Sequence, residues 1–245
     1  MAHRGGPQNA PENTIAAFER AFSDGADAIE CDIRKTRDGQ FVAFHDRTGG
    51  RLTGHNWPVA GTDYGQLKHI KVLGREPIAH LDDIVNLLIF HRFKKCYFEP
   101  VLEDPCDAAA LALEIKKAGI QRRAYILAFS NNRKTLIAAK NAAPDIGVAV
   151  MPLLPCDIAG AARAAGASAV CAGWLPGWPG TKALFKLSAA LFNFKEQAAA
   201  AAGLGVTVSA GIANDCHDAR WLAAQGVGGI WTDDVPLVRK AIYGG

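Results

Sequence analysis

Two carboxylates two residues apart in an apolar run, Ile29-Glu30-Cys31-Asp32-Ile33, are where residue types and spacing first point to chemistry. Side chains alternate between the faces of a strand, so Glu30 and Asp32 share one face and Ile29, Cys31 and Ile33 take the other. Neighbouring acids repel unless something positive lies between them. A hard divalent cation with oxygen ligands, Mg2+ or Ca2+, meets that need. A rim pair of acids held by Arg34 and Lys35 is the alternative. Glu99, in the apolar run Tyr97-Phe98-Glu99-Pro100, is a third acid. Burying it is costly unless it is paired or ligates a metal, and Lys94 and Lys95 are wrongly spaced for pairing.

His3-Arg4-Gly5-Gly6 places a titratable proton carrier beside a fixed cationic fork suited to phosphate. Pro11 and Glu12 lie at a helix start, where the dipole favours a carboxylate. His45-Asp46 ends a strand-like run that returns from the tight turn Asp38-Gly39. The end of a strand is where a barrel of helix-wrapped strands keeps its catalytic groups.

The elements that must position these residues alternate. Strand-like runs cover 27–33, 40–45, 95–101, 124–129, 146–151, 168–172, 206–210 and 227–232. Helical periodicity covers 14–22, 81–90, 108–118, 134–141, 159–165, 194–202 and 218–225. Gly119, Gly166, Gly203 and Gly226 stand where helix stops are expected. At 245 residues the pattern suits an α/β (β/α)8 barrel in one domain, 1–245. A doubly wound open sheet is the runner-up, weakened by the lack of G-x-G-x-x-G after the first strand. Residues 46–80 lack clear periodicity and hold Gly49, Gly50, Gly54, Gly61 and Pro58, which predicts a loop-rich insertion.

Composition narrows the function classes. With 27 Lys+Arg against 24 Asp+Glu, and no basic block, the chain does not read as a nucleic-acid binder. No stretch reaches the roughly 20 apolar residues of a membrane span. The start MAHRGGPQNAPENT has no apolar signal segment, so a cytoplasmic location is expected. The six cysteines form no CxxC pair. Cys31, Cys96 and Cys171 lie in or beside strand-like runs and read as small core residues in a reducing compartment. His55, His69, His80, His91 and His217 match no ligand spacing and read as surface or loop residues.

In order along the chain come His3-Arg4-Gly5, Pro11-Glu12-Asn13-Thr14, Ala17-Phe18, Gly25-Ala26-Asp27, Ile29-Glu30-x-Asp32, Thr36-x-Asp38-Gly39 and His45-Asp46. This set resembles the N-terminal signature of the glycerophosphodiester phosphodiesterase family. The resemblance continues through Arg51-Leu52-Thr53-Gly54, Leu81-Asp82-Asp83, Glu99, Gly226-Val227 and Gly229-Ile230-Trp231-Thr232-Asp233. It implies a TIM-type (β/α)8 barrel with a small insertion after the second strand, where residues 46–80 fall. It also implies metal ligands Glu30, Asp32 and Glu99, acid/base histidines His3 and His45, and a phosphate-binding Arg4. Glu12 would be the acid of the Pro-Glu-Asn-Thr motif. The implied activity is metal-dependent hydrolysis of glycerophosphodiesters to glycerol 3-phosphate and an alcohol.

The chain departs from the family pattern in three places. Where the family carries Glu-x-Lys, this sequence has Glu99-Pro100-Val101, and Lys134 or Arg133 is the candidate substitute for the lysine. The late Trp-Thr-Val-Asn-Asp appears as Gly211-Ile212-Ala213-Asn214-Asp215, leaving Trp174 and Trp178 as the candidate aromatic wall, with Trp174 placed against substrate. Only Met1 and Ala2 precede His3, which predicts a very short first barrel strand. Rival readings are a lysophospholipase D-like enzyme, with an apolar groove near Trp57, Trp174, Trp178 and Leu191-Phe192, and a non-catalytic barrel that binds phosphate esters. A barrel hydrolase of amides or sugars is disfavoured, since His-x-His is absent and Arg4 suits phosphate.

Overall fold

A computed structural model describes residues 1–102 and 104–244. Helix α1 (Ile15–Ser23) starts at Thr14, whose hydroxyl accepts the Ala17 N–H as its N-cap. Strand β1 (Ala28–Lys35) follows, and β2 (Phe41–Ala43) returns antiparallel to it. The insertion then forms α2 (Gly50–Thr53), α3 (Tyr64–Leu67), β3 (Lys71–Val72) and β4 (Glu76–Pro77). Helix α4 (Leu81–Phe90) leads to β5 (Lys95–Pro100), α5 (Pro105–Lys117), β6 (Ala124–Phe129), α6 (Arg133–Ala142) and β7 (Gly147–Met151). Next come α7 (Ile158–Ala165), β8 (Ala169–Gly173), α8 (Thr181–Leu191), α9 (Phe194–Gly203), β9 (Thr207–Gly211), α10 (Cys216–Ala224), β10 (Gly229–Ile230) and α11 (Val235–Tyr243).

The main sheet runs β10-β9-β8-β7-β6-β5-β1-β2, parallel throughout except for the β1–β2 hairpin. Ala2 closes the ring, bridging in parallel to Ile29 on one side and to Thr232 on the other. Its N–H donates to Ala28 O at 2.8 Å, and its carbonyl accepts the Glu30 N–H at 2.8 Å. The result is a TIM-type barrel whose first stave is a single bridging residue. The run at 40–45, counted among the barrel strands by its pattern, is instead the antiparallel return of a hairpin. The Asp38-Gly39 turn sends it back along β1, outside the ring.

Alternation along each strand builds two apolar layers. Ala28, Tyr97, Leu127, Ala149, Cys171 and Trp231 fill the barrel. Ile29, Cys31, Ile33, Phe98, Ile126 and Val170 face the surrounding helices. Each such Ile or Phe, fully buried, is worth roughly 1.5–3 kcal/mol. Cys31, Cys96 and Cys171 are buried, as expected, and burial pushes the Cys171 thiol up to about 12, leaving it inert.

Residues 46–80 are more ordered than a loop-rich stretch. Leu52, Val59, Leu67, Val72 and Ile78 cluster with Val42 and Phe44 from β2 and its end. That cluster fixes the backbone just before His45. Trp57 packs on Phe44 there, at 5.4 Å between ring centroids, rather than in any substrate groove. His80 is also not a bystander: its ring accepts the Asp82 N–H and caps α4.

Helices α8 and α11 were not legible as helical periods. Along α8, Leu184, Leu187 and Leu191 are exposed while Phe185 and Ala189 are buried, so apolar residues lie on both faces and no single stripe stands out. Gly119, Gly166 and Gly226 take the left-handed backbone of a helix stop, but Gly203 lies inside α9 and Gly205 takes that role. At the end of β8, a Cβ on Gly173 would collide with the Gly211 carbonyl oxygen. Gly173→Ala is expected to lower the unfolding free energy by about 3 kcal/mol, read from denaturant midpoints.

Candidate active site

Register explains how the acids meet. In the parallel β1–β5 pair, Asp32 lies opposite Glu99, and Glu30 shares the inward face of β1 with Asp32. Ligand oxygens of Glu30, Asp32 and Glu99 all lie within 4.8 Å of one another. Burial, then the charge of Asp32, pushes Glu99 up to about 8 and holds Glu30 well above the usual carboxylate range.

The cations that offered a bland explanation are engaged elsewhere. Arg34 donates to the carbonyls of His45 and Val101, and Lys35 pairs with Asp107 at 2.6 Å. Lys94 donates to Ala26 O, and Lys95 sits over the Tyr125 ring. Glu30 Oε1 is buried with no hydrogen-bond partner among the described residues. Three hard oxygen donors with an orphaned lone pair fit a divalent cation. The second acid cluster, Asp215, His217 and Asp218, differs: Lys182 and Lys186 both bind Asp218, and Asp215 caps α10.

The acids are held from the N-terminal segment. The Arg4 N–H donates to Glu30 Oε2 at 2.9 Å, its Nη1 donates to Glu12 Oε1 at 3.2 Å, and its Nε lies 3.2 Å from Asp32 Oδ2. Asn13 Nδ2 donates to Asp32 Oδ2 at 2.8 Å while its Oδ1 accepts the Asp32 N–H at 3.1 Å. Arg4 and Asn13 have φ of 50° and 58°, a left-handed backbone costing each of these residues roughly 1–2 kcal/mol. That strain sits at the site, where surrounding structure must impose it. Glu12, expected at a helix start, lies ahead of α1 and serves instead as a shared acceptor for two arginines.

Both histidines are oriented the same way. His3 Nδ1 is 2.7 Å from Asp233 Oδ1, and Asn214 Nδ2 donates to Asp233 Oδ2 at 2.6 Å. Burial raises the Asp233 pKa, but the hydrogen bonds from His3 and Asn214 outweigh it and hold the carboxyl low. An ionised carboxylate only accepts, so His3 Nδ1 donates and Nε2, 4.0 Å from Glu30 Oε2, is left to exchange protons. His45 Nδ1 is 2.7 Å from Asp46 Oδ1. Partial burial raises Asp46, yet bonds from Arg51 and His45 bring it down to about 2, so Nδ1 of His45 likewise donates to an ionised carboxylate.

Arg51, carried by the insertion, ties these parts together. Its Nε donates to Asp46 Oδ2 at 2.7 Å, and its Nη1 and Nη2 donate to Glu12 at 2.9 and 2.7 Å. Through Asp46 it holds His45, and through Glu12 it holds Arg4. Arg51→Met is expected to lower kcat about tenfold, the low end for losing a residue that orients a ligating or catalytic group, with steady-state kinetics as the measure.

His3, Arg4, Glu30, Asp32, His45 and Glu99 line a cavity of about 310 Å³. Its wall includes Phe129, Met151, Gly173 and Gly211, the last residues of β6, β7, β8 and β9, so it opens at the C-terminal face of the barrel. Trp174 lines it, backed by Phe185 at 5.6 Å between ring centroids. Trp178 is exposed and lies outside the lining, as do Arg133 and Lys134, so neither cation replaces the missing lysine there. A Cβ on Gly211 would sit 2.6 Å from Trp231 Cβ, so Trp231 occupies the space a larger residue at 211 would need. The indole N–H of Trp231 donates to Ser209 Oγ at 2.9 Å.

Sequence reasoning did not single out Asn13, Asp46, Arg51, Asn214 or Asp233 for a role. All five lay inside motifs already quoted. A histidine followed by aspartate, and an asparagine beside a metal acid's motif, were the available signals.

The profile of the glycerophosphoryl diester phosphodiesterase family matches residues 3–237. A relative from Mycobacterium tuberculosis, named probable glycerophosphodiester phosphodiesterase 1, is 30% identical over 194 residues, covering 69% of this chain and 70% of its own. A glycerophosphodiester phosphodiesterase of Caldanaerobacter subterraneus is 57% identical over 53 residues, and that match spans 22% of each chain. A phosphodiesterase of Oleispira antarctica, solved in complex with the product sn-glycerol-3-phosphate, is similar in fold. It has a TM-score of 0.78 at 22% identity, covering 98% of this chain and 95% of that one. By the extent of the profile match, the chain belongs to the glycerophosphoryl diester phosphodiesterase family.

Proposed function

We propose that the chain hydrolyses glycerophosphodiesters to glycerol 3-phosphate and an alcohol, with two-histidine acid/base catalysis and a divalent cation, Mg2+ or Ca2+. The observation that carries this is the convergence of two aspartate-oriented imidazoles, His3 and His45, on Glu30, Asp32 and Glu99 beside Arg4. Glu30, Asp32 and Glu99 would hold the cation. When bound, it would neutralise the phosphodiester and the charge that builds as the bond breaks. Arg4 Nε pairs with Asp32 and its Nη1 with Glu12, and we assign the remaining edge of its guanidinium to a phosphate oxygen. One imidazole Nε2 takes the proton of the attacking oxygen, from water or from the substrate's glycerol hydroxyl; in the second route water then opens the cyclic phosphate to glycerol 3-phosphate. The other protonates the departing alcohol. We assign Trp174 to the substrate wall and Glu12 to holding Arg4.

No helix among the described residues is long and apolar enough to cross a membrane. Six free cysteines support a reducing compartment, and we place the reaction in the cytoplasm. We treat residues 1–245 as one barrel domain with 46–80 as an insertion, since the apolar cluster of that insertion is built on side chains of β2. Purified protein with glycerophosphocholine and Mg2+ or Ca2+ should release glycerol 3-phosphate and choline, and EDTA should stop it. Silence with both ions, and with related head groups, overturns this substrate class.

A further inference from the structure

The end of the barrel opposite the cavity carries a feature that the proposed reaction does not use. Ile89, Phe90 and Phe93 are 51%, 81% and 94% exposed. Phe90 ends α4 and Lys95 begins β5, so these side chains stand at the N-terminal face of the barrel. A lone exposed apolar side chain needs no explanation, but three within five residues form a patch. The loop that presents them is built. Arg123 Nη1 donates to the carbonyls of Leu88, His91 and Lys94 at 2.7, 3.1 and 3.3 Å. Lys94 Nζ donates to Ala26 O at 2.6 Å, and the His91 ring packs on Phe22 at 4.9 Å between centroids. His91 and Lys94 are anchored inward while both phenylalanines are held in water.

Positive charge collects in the same place. Residues 88–95 and 120–124, tied together by Arg123, hold five lysines and arginines and no acid, in a chain whose net charge is +3. Arg92 and Arg122 are exposed there. Asp27, whose carbonyl accepts the Lys95 N–H, is an exposed acid at the rim, and the cations outnumber it. Wet aromatic rings set among cations fit an anionic bilayer surface. The rings enter the headgroup boundary and the cations stay level with the phosphates. A stable protein interface uses roughly 20–30 residues a side, far more than this patch offers. The exposed leucines of α8 lack the matching charge, since Lys182 and Lys186 are both paired with Asp218.

We propose that the protein docks reversibly on anionic membrane surfaces through Phe90 and Phe93, with Arg92 and Arg122 facing the lipid phosphates. Docked this way, the barrel stands on its N-terminal face and turns the cavity away from the bilayer, toward water. The proposal is independent of the reaction assigned above, because it uses no residue of the cavity.

Cosedimentation with vesicles tests it, using phosphatidylcholine alone and phosphatidylcholine mixed equally with phosphatidylglycerol. In low salt the wild type should bind the mixed vesicles and not the neutral ones, and added KCl should release it. Replacing both Arg92 and Arg122 by alanine should lower the partition coefficient about twenty-five-fold, about fivefold per cation. Phe93→Ser should lower it roughly tenfold without moving the thermal midpoint, because that ring is almost wholly exposed. Absence of binding to the mixed vesicles overturns the proposal, and so does equal binding by Phe93→Ser. Binding lost in Leu187→Ser and kept in Phe93→Ser assigns the contact to α8 and overturns it too. A lipid-free mass that doubles with concentration, and reverts in Phe93→Ser, gives the patch to a second copy of the chain instead.

Discussion

His45→Ala is expected to lower kcat by about a hundredfold to ten-thousandfold, with KM changed little and the fold kept. The expectation follows from geometry. His45 is half-buried, lies just beyond the hairpin strand β2, and presents a ring whose Nδ1 is committed to Asp46 at 2.7 Å. Its backbone carbonyl, gripped by Arg34 at 2.6 Å, survives the substitution. In the proposed mechanism the variant loses proton transfer in the transition state but keeps the substrate contacts proposed for Arg4 and Trp174, so the loss should fall on kcat. Steady-state kinetics on glycerophosphocholine, with circular dichroism as the fold control, is the measurement. An unchanged rate removes His45 from the mechanism. A wild type that binds phosphate esters and turns none over would make this a non-catalytic barrel.

The second large effect concerns stability. In EDTA, Glu99→Gln should be more stable than wild type at pH 8 by a few kcal/mol. Burial and the Asp32 charge raise the Glu99 pKa to about 8, so the folded state holds a proton that the unfolded chain releases. A raised carboxyl pKa contributes stability at low pH. That contribution is lost as pH rises from the ordinary glutamate range through about 8. The metal-free wild type should therefore weaken across that window, and the variant should not. A cation narrows that gap. At one hundred times its Kd, Ca2+ or Mg2+ should stabilise wild type by about 2.7 kcal/mol and leave the variant nearly unmoved. Thermal melts across pH, with and without the ion, read both halves. Equal responses of the two proteins would remove Glu99 from the ion site.

Much of the site was legible because strand alternation is strict. Glu30 and Asp32 had to share a face, and the parallel register of β1 with β5 set Glu99 beside Asp32. The apolar surroundings of Glu99 already marked its carboxyl as unusual. Partners across long sequence distance were not legible. Nothing local says that Asp233 meets His3, or that Arg51 reaches both Asp46 and Glu12, because those pairings are set by ring closure and by how the insertion folds back. Helix α8 escaped for a related reason: its outward leucines break the one-sided pattern that marks a surface helix. The expected strand at 40–45 was real as a strand and misplaced as a stave, since alternation reports pleat and not direction.

The closing of the ring by Ala2 has a consequence for how the protein is born. His3 is oriented by Asp233, 230 positions away, and Ala2 is pinned between Ile29 and Thr232. On the ribosome, an emerging polypeptide would carry Glu30, Asp32, Glu99 and His45 long before the last stave arrives to aim the other imidazole. Catalytic competence would thus switch on late in synthesis, as the tail meets the head, rather than growing gradually with length.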